Sequence, residues 1–281
     1  MNPLQFLTDA HVVVVAGKGG VGKTTVTAVL ARAAADRGLR VLVVELDGKP
    51  ALAKLVGGHI PCLALTPPAA LAEYLETHGL GRIAKRLATS GVIEVVATAA
   101  PGIDDIVVLG KIKQLEQSGD YDLIVVDGPA AGHAITFLMA PANLLKLVRG
   151  GPIRSQATDV AAMLTEPGRS QVILVTLPET TPVNEAIETA EALRKDGGMT
   201  LGPVVVNAFD EGPDLNLDDV EPDSSLRAAA EFRNARRELH RHESQRLADA
   251  LDLPHICLPL VTSAALDADS ISELATRVGV S

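Results

Sequence analysis

A glycine-rich stretch near the start of the chain has the residue types and the spacing of a phosphate-binding loop. Residues 17–24 read GKGGVGKT, which fits the pattern G-x-x-x-x-G-K-[ST], and an apolar run, VVVV, lies just before them. Glycines let consecutive backbone N–H groups curl around a polyphosphate, and the positive end of the following helix dipole faces the same anion. The candidate nucleotide-binding residues are Gly19, Gly20, Val21, Gly22, Lys23, Thr24 and Thr25.

Two side chains of this loop suit a nucleoside triphosphate and its metal. Lys23 is predicted to reach the β- and γ-phosphates, and the hydroxyl of Thr24 is predicted to coordinate Mg²⁺. The sequence therefore predicts ATP and Mg²⁺ as ligands. Lys18 is a second lysine in the same loop, and phosphate binding by this motif does not require it.

Phosphoryl transfer also needs a carboxylate beside the metal and a group that orients the attacking water. Asp127 ends the apolar run YDLIVVD, where an aspartate can face a magnesium ion at the carboxyl edge of a parallel sheet. Asp47 follows the run RVLVVEL and can approach the γ-phosphate from its loop. The alternatives are a helix cap at Asp127 and an ordinary Asp-Gly turn at Asp47.

The elements that must position these residues alternate along the chain. Apolar runs are continuous, as expected for strands covered on both faces, and helical patterns lie between them. We expect an α/β fold with a doubly wound, mostly parallel sheet in a single domain over residues 1–281. The predicted strands are 11–16, 40–46, 92–98, 121–127, 171–177, 202–208 and 255–260.

Three segments fall outside this alternation. Two segments, at about 50–90 and about 141–167, are predicted to form a small helical elaboration above the sheet. A long charged helix is predicted over about 223–252, with Asp223 or Ser224 as its N-cap. A charged helix of this kind is a solvated element at the domain edge or, alternatively, a partner surface.

Composition excludes several classes of function. The net charge of −10 and an aromatic content of 2% argue against nucleic-acid binding, which needs clustered basic residues and stacking rings. No apolar run has the length of a membrane span, and the first residues lack a signal-peptide pattern, so we expect a cytoplasmic protein. Cys62 and Cys257 are isolated and predict neither a disulfide nor a metal site.

Beyond the loop pattern itself, the motifs resemble those of a known group of ATPases. KGGVGKTT resembles the deviant Walker A box of the dimeric SIMIBI-class P-loop ATPases. The segment DGPAAGHAITFL is similar to the second switch of the ArsA family, and LPETTPVNEAIETAEAL resembles that family's PE-x-x-x-x-x-E helix start. In overall layout the chain is most similar to actinobacterial ArsA-like proteins. The resemblance implies an ATP-hydrolysing, Mg²⁺-dependent dimeric switch that couples its nucleotide state to a client or membrane partner.

The resemblance also assigns roles to single residues. Lys18 would cross a dimer interface to the partner's phosphates, Asp47 would position water, and Asp127 would lie beside the magnesium. It places Gly132 and His133 at the end of the second switch, and Asn207, Pro259 and Leu260 on the adenine side. From the residues alone, Asn207 is equally a turn or cap residue, and His133 is equally a helix-start residue. The implied partners are a second copy or a paralogous ATPase, and a membrane-protein client that would bring this protein to a membrane's periphery.

The chain departs from the family pattern in places. The first switch, which usually reads STDPAH, is here ELDGKPAL, so slower hydrolysis is predicted. Metalloid-binding cysteines and a zinc-binding CxxC have no counterpart, and four methionines do not make a client groove. His240 and His242 are predicted to face solvent. The alternatives are a MinD- or ParA-like positioning ATPase and a nucleotide-binding regulatory subunit of a heterodimer.

Overall fold

The fold is built on one parallel sheet. The structure is a computed structural model that describes residues 5–46, 52–77, 102–218, 221, 224–263 and 265–278. Within these ranges seven strands pair in the order β3-β2-β4-β1-β5-β6-β7, and every neighbouring pair is parallel. The strands are β1 (Val12–Gly17), β2 (Val41–Glu45), β3 (Cys62–Ala64), β4 (Leu123–Ala130), β5 (Ser170–Thr176), β6 (Leu201–Phe209) and β7 (His255–Pro259).

Helices connect the strands and cover the sheet on both faces, as in a doubly wound fold. Those in the first half of the chain are α1 (Phe6–Asp9), α2 (Lys23–Ala35), α3 (Leu52–Leu55), α4 (Pro67–Thr77) and α5 (Ile103–Ser118). Those in the second half are α6 (Ala131–Leu147), α7 (Pro152–Thr165), α8 (Thr180–Lys195), α9 (Ser225–Ala250) and α10 (Ala268–Val278).

The continuous apolar runs produce two hydrophobic cores because successive side chains of a strand point to opposite faces. Val13 and Val15 of β1 pack in one core with α2 and α10. Val12 and Val14 pack in the other core with α5, α6, α7 and α8. The expected α/β class and parallel sheet are confirmed.

The strands differ from the prediction in two places, and one predicted strand lies outside the described residues. β3 was not predicted, because its three residues are too short to give a pattern, and it pairs with β2 inside the segment expected to be helical. β4 was expected to end at Asp127 but continues to Ala130. It can continue because its register against β1 shifts after Val15, at the start of the glycine-rich loop. The predicted strand at 92–98 lies outside the described residues.

The segment expected as an insert at 141–167 is part of the regular layer. Its first boundary falls inside α6, which contains Pro141. α7 then contacts β5 as well as α5 and α6. These helices therefore cover one face of the sheet, and they are not an addition above it.

The long charged helix is confirmed as α9. Its N-cap is Ser224, whose hydroxyl accepts a hydrogen bond from the Arg227 backbone N–H at 3.1 Å. The prediction that His240 faces solvent is wrong: its side chain is buried against the β6 end, whereas His242 is exposed. The charge-rich sequence hid this inner face, because three of its five buried residues are polar or charged: Arg237, His240 and Glu243.

Candidate functional site

The glycine-rich loop follows β1, the strand at the middle of the sheet, and leads directly into α2. Gly20 and Gly22 have φ angles of 88° and 89°, a left-handed conformation that side chains with a Cβ rarely adopt. The left-handed backbone at these two glycines makes a tight turn. Gly22 is the N-cap of α2, so the N-terminus of this helix faces the loop. The arrangement leaves backbone N–H groups and a helix N-terminus available to one anion.

The side chain of Lys23 curls back over the loop. Its Nζ donates to the Lys18 backbone oxygen at 3.3 Å, so the ammonium group lies above the concave side of the turn. A lysine in this position can bind phosphate oxygens that enter the loop.

Thr24 and Asp127 meet beside the loop, as the sequence predicts for two metal ligands. Thr24 Oγ1 donates to Asp127 Oδ2 at 2.8 Å, and Thr27 Oγ1 approaches Asp127 Oδ1 at 3.3 Å. The strand that carries Asp127, β4, lies close to β1, which leads into the loop, since a Cβ added at Gly128 would be 2.4 Å from the Val15 oxygen. Both carboxylate oxygens are thus held by hydroxyl groups from the first two turns of α2.

Lys18 has a partner that we did not assign from the sequence. Its Nζ lies 2.6 Å from Oε1 of Glu185, in the second turn of α8. The available signal was the PE-x-x-x-x-x-E spacing, in which Glu185 is the final glutamate.

Asn207 braces the loop from a distant strand. Its Nδ2 donates to the Val21 backbone oxygen at 2.9 Å, and a Cβ at Gly22 would lie 2.2 Å from the same nitrogen. Ala208 has a φ of 55°, which is unusual for a residue other than glycine, and the β6–β7 register shifts between Val206 and Phe209. This irregularity is a bulge of the kind that re-aims a side chain.

A second concave region of about 530 Å³ lies at the ends of β6 and β7. Pro259 and Leu260, expected on the adenine side, line it together with Phe209. Its other wall is one face of α9, which the sequence analysis did not assign to the site: Phe232, Arg233, Arg236 and His240. Phe232 is 67% exposed, although it is a large aromatic side chain.

Charges hold this wall in place. Arg233 donates to both carboxylate oxygens of Asp210 at 3.0 and 3.1 Å, and these hydrogen bonds hold the pKa of Asp210 below its ordinary value. Arg237 is buried between Asp210 and Asp214. Burial, and then the positive charge of Arg236, lowers the pKa of His240, so its imidazole favours the neutral form.

The remaining predicted site residues are less informative. Gly132 and His133 are exposed in the first turn of α6. His133 lines a small cavity of about 210 Å³ with Leu46, the last described residue before the predicted water-positioning Asp47. Asp47 itself lies outside the described residues.

Comparison with known proteins agrees with this geometry. The family described as the CobQ/CobB/MinD/ParA nucleotide binding domain matches residues 12–279. The ATPase BagA of Mycobacterium tuberculosis is 32% identical, and the alignment covers 95% of this chain and 92% of that protein.

Arsenical pump-driving ATPases are also similar, over a smaller part of their length. That of Escherichia coli is 29% identical over 72% of this chain and 35% of its own length. A putative arsenical pump-driving ATPase of Halobacterium salinarum is 24% identical over 93% of this chain and 43% of its own length.

Proposed function

Because the chain belongs to the CobQ/CobB/MinD/ParA nucleotide-binding domain family and to its ArsA-like ATPases, we propose that it is a Mg²⁺-dependent ATPase whose nucleotide state controls a dimer. The observation that carries this proposal is the convergence of Lys23, Thr24 and Asp127 on one glycine-rich loop. Catalysis of phosphoryl transfer consists mainly of positioning and charge neutralisation, and these residues supply both.

Each residue has a defined task at the phosphates. The backbone N–H groups of residues 19–24 bind the phosphate oxygens, and Lys23 neutralises charge between the β- and γ-phosphates. Asn207 keeps the loop in its binding shape through the Val21 oxygen. Asp47 orients the attacking water in this proposal, from a position outside the described residues.

The residues present fit a magnesium ion. Thr24 and Asp127 offer hard oxygen ligands whose oxygen atoms are 2.8 Å apart. Mg²⁺ binds few protein ligands and keeps phosphate oxygens and water in its octahedral shell. The metal would neutralise charge on the transferred phosphoryl group. A site of this type does not need a cluster of three His, Cys, Asp or Glu ligands, and the described part of the chain holds none.

The dimer proposal is supported by Lys18. Its side chain points to α8 and not into its own loop, and it is 37% exposed at the edge where the loop opens. A lysine there can contact phosphates bound by another subunit, which is a charge clamp comparable in role to an arginine finger. We propose a second copy as the partner, with a heterodimer of paralogues as the other outcome of the test.

Replacement of Asp127 tests the enzymatic part. Asp127→Asn should reduce turnover about 100-fold with Mg²⁺, because a metal ligand is lost while the side-chain shape is kept. ATP affinity without divalent metal should stay within about twofold of the wild type. Asp159→Asn, on the exposed face of α7, is the matched control. Normal turnover in Asp127→Asn would exclude Asp127 as the metal ligand.

Sedimentation equilibrium tests the dimer. We expect association with a non-hydrolysable ATP analogue and Mg²⁺, and a monomer with ADP. Identical association states with the two nucleotides would refute a nucleotide-gated dimer.

The proposed coupling to a client is tested by affinity capture. Asp47→Asn should bind ATP without turnover and so hold the ATP-bound assembly, from which recovered proteins are compared with those from Lys23→Ala. Enrichment of membrane proteins supports a membrane-protein client, and enrichment of a related ATPase supports a heterodimer. No helix within the described residues is long and apolar enough to cross a bilayer.

A further inference from the structure

An ion pair holds Lys18 against its own subunit. Lys18 Nζ and Glu185 Oε1 are 2.6 Å apart, and the two side chains are 37% and 35% exposed. Lys18 lies in the loop after β1, and Glu185 lies in α8, which follows the neighbouring strand β5. The contact therefore joins two elements that both begin at the carboxyl edge of the sheet, where the loop opens.

Glu185 is the fixed member of this pair. Its neighbours Val183 and Ala186 are buried in the core, which prevents α8 from rotating. The start of α8 is also tied to α9, because Thr180 Oγ1 donates to the buried Glu243 at 3.1 Å. Arg246, also on α9, donates to Asn184 Oδ1 at 2.8 Å. The backbone that carries Glu185 is therefore held in place.

We infer that Glu185 is a positioning residue that retains Lys18 in its own subunit until a second nucleotide-filled subunit offers phosphates in exchange. The inference rests on the proposed function, because it takes Lys18 to act across a dimer. Glu185 draws the Lys18 amine towards its own subunit at 2.6 Å, and phosphates of another subunit would draw it away, so the two interactions compete in this proposal. Glu185 thereby sets the protein concentration at which the dimer assembles.

The Lys18–Glu185 ion pair is weak enough for a bound polyphosphate to displace it. A partly exposed ion pair changes an equilibrium by up to about fivefold, and salt weakens it further. A polyphosphate carries several negative charges and can displace one carboxylate. A symmetric dimer releases two such pairs, so an effect of about threefold for each pair changes dimerisation about tenfold.

The first experiment measures dimerisation with a non-hydrolysable ATP analogue and Mg²⁺. Glu185→Gln should lower the dimer dissociation constant about tenfold. Glu188→Gln is the matched control, since Glu188 is exposed on the same helix and makes the same change in charge. Glu185→Asp, which keeps the charge, should return the constant towards the wild-type value. In a Lys18→Ala background, Glu185→Gln should have no effect, because the competing partner is gone.

Two results would overturn the inference. One is equal dimerisation of Glu185→Gln and Glu188→Gln. The other is weaker dimerisation of Glu185→Gln, which would mean that the carboxylate stabilises the assembly.

A second experiment needs no dimer. Nucleotide-free protein is treated briefly with an acetylating reagent, and modification of Lys18 is followed by peptide mass spectrometry. Lys18 should react several times faster in Glu185→Gln than in Glu188→Gln, because its amine is no longer held. If Lys18 is labelled faster in Glu185→Gln but the protein stays monomeric with the ATP analogue, the ion pair is supported and the dimer is refuted. Unchanged labelling would refute the role of Glu185 whatever the association state.

Discussion

The two ends of the site are built in different ways. At the phosphate end, a loop on the central strand is shaped by glycines with left-handed backbone and by short contacts such as Thr24 to Asp127. At the other end, where the sequence predicts that adenine binds and which we call the base end, a cavity lies beside β6 and β7. Its wall is formed by side chains of α9, which ion pairs to Asp210 and Asp214 hold in place. The phosphate end depends on backbone geometry, and the base end depends on charge and helix packing.

This difference predicts which changes affect only one end. Removal of a loop side chain such as that of Lys23 should remove phosphate binding and leave stability almost unchanged. Substitutions on α9 should alter stability or base recognition and leave binding of a bare polyphosphate unchanged. The following predictions test that division, in order of decreasing effect.

Lys23→Ala should lower the affinity for both ATP and inorganic tripolyphosphate by a factor of about 1,000, since several charge-assisted hydrogen bonds are lost. Isothermal titration calorimetry with each ligand measures the effect. Lys54→Ala, on the exposed face of α3, is the control and should bind normally. Retained tripolyphosphate binding would mean that the phosphate end does not depend on this lysine.

Arg237→Ala should lower the free energy of unfolding by about 2 kcal/mol, because it removes a buried cation, 9% exposed, from between two carboxylates. Arg241→Ala is the control: Arg241 also contacts Asp214 but is 44% exposed, so its loss should cost less than about 0.5 kcal/mol. Urea denaturation measures both. Equal losses would contradict a charge-anchored wall at the base end.

Phe232→Ala should weaken ATP binding about tenfold and leave tripolyphosphate binding unchanged, because an exposed ring beside the cavity can stack on a purine. Leu226→Ala is the control, since Leu226 is similarly exposed on α9 but does not line the cavity. Competition titrations with the two ligands separate the ends of the site. Equal weakening of both would assign Phe232 to the phosphate end or to the fold.

His240 should make a smaller contribution that depends on pH. Its folded-state pKa lies below the ordinary 6.5, mainly because the side chain is buried and secondly because the positive charge of Arg236 is near. Protonation therefore favours the unfolded chain. The neutral imidazole therefore contributes fully above pH 6.5, and this contribution is lost as the pH falls through 6.5 towards the folded-state pKa.

The measurement compares unfolding free energies of His240→Gln and the wild type between pH 8 and pH 5. Their difference should change by less than about 1 kcal/mol across this range, with the wild type losing more at low pH. The charged and titratable groups around His240 are Arg236, Arg237, Asp210 and Glu179. His242→Gln is the exposed control, and an identical pH profile for both variants would contradict the prediction.

The phosphate end is built from a local motif and the base end from tertiary contacts, so the sequence predicts the first better than the second. Gly22, Lys23 and Thr24 form a local motif, so their proposed roles could be inferred from spacing alone. The position of Asp127 beside the loop could be inferred because the carboxyl ends of parallel strands share one edge of the sheet. The base wall could not be predicted, because a charged helix such as α9 is ordinarily exposed, and only the tertiary structure shows that Arg237 and His240 face inward. Glu185 was missed because its partner lies 167 residues away.

The hydrogen bond from Asn207 to Val21 has a consequence for the order in which the protein is made. Its two residues are 186 positions apart, and the neighbours of β1 in the sheet, β4 and β5, also come more than 100 residues after it in the chain. Synthesis proceeds at about 5–20 residues per second, so the loop emerges well before the strands that support it. The phosphate end, although encoded first, is completed only after β6 has left the ribosome. A nascent chain halted before residue 207 should therefore bind ATP poorly.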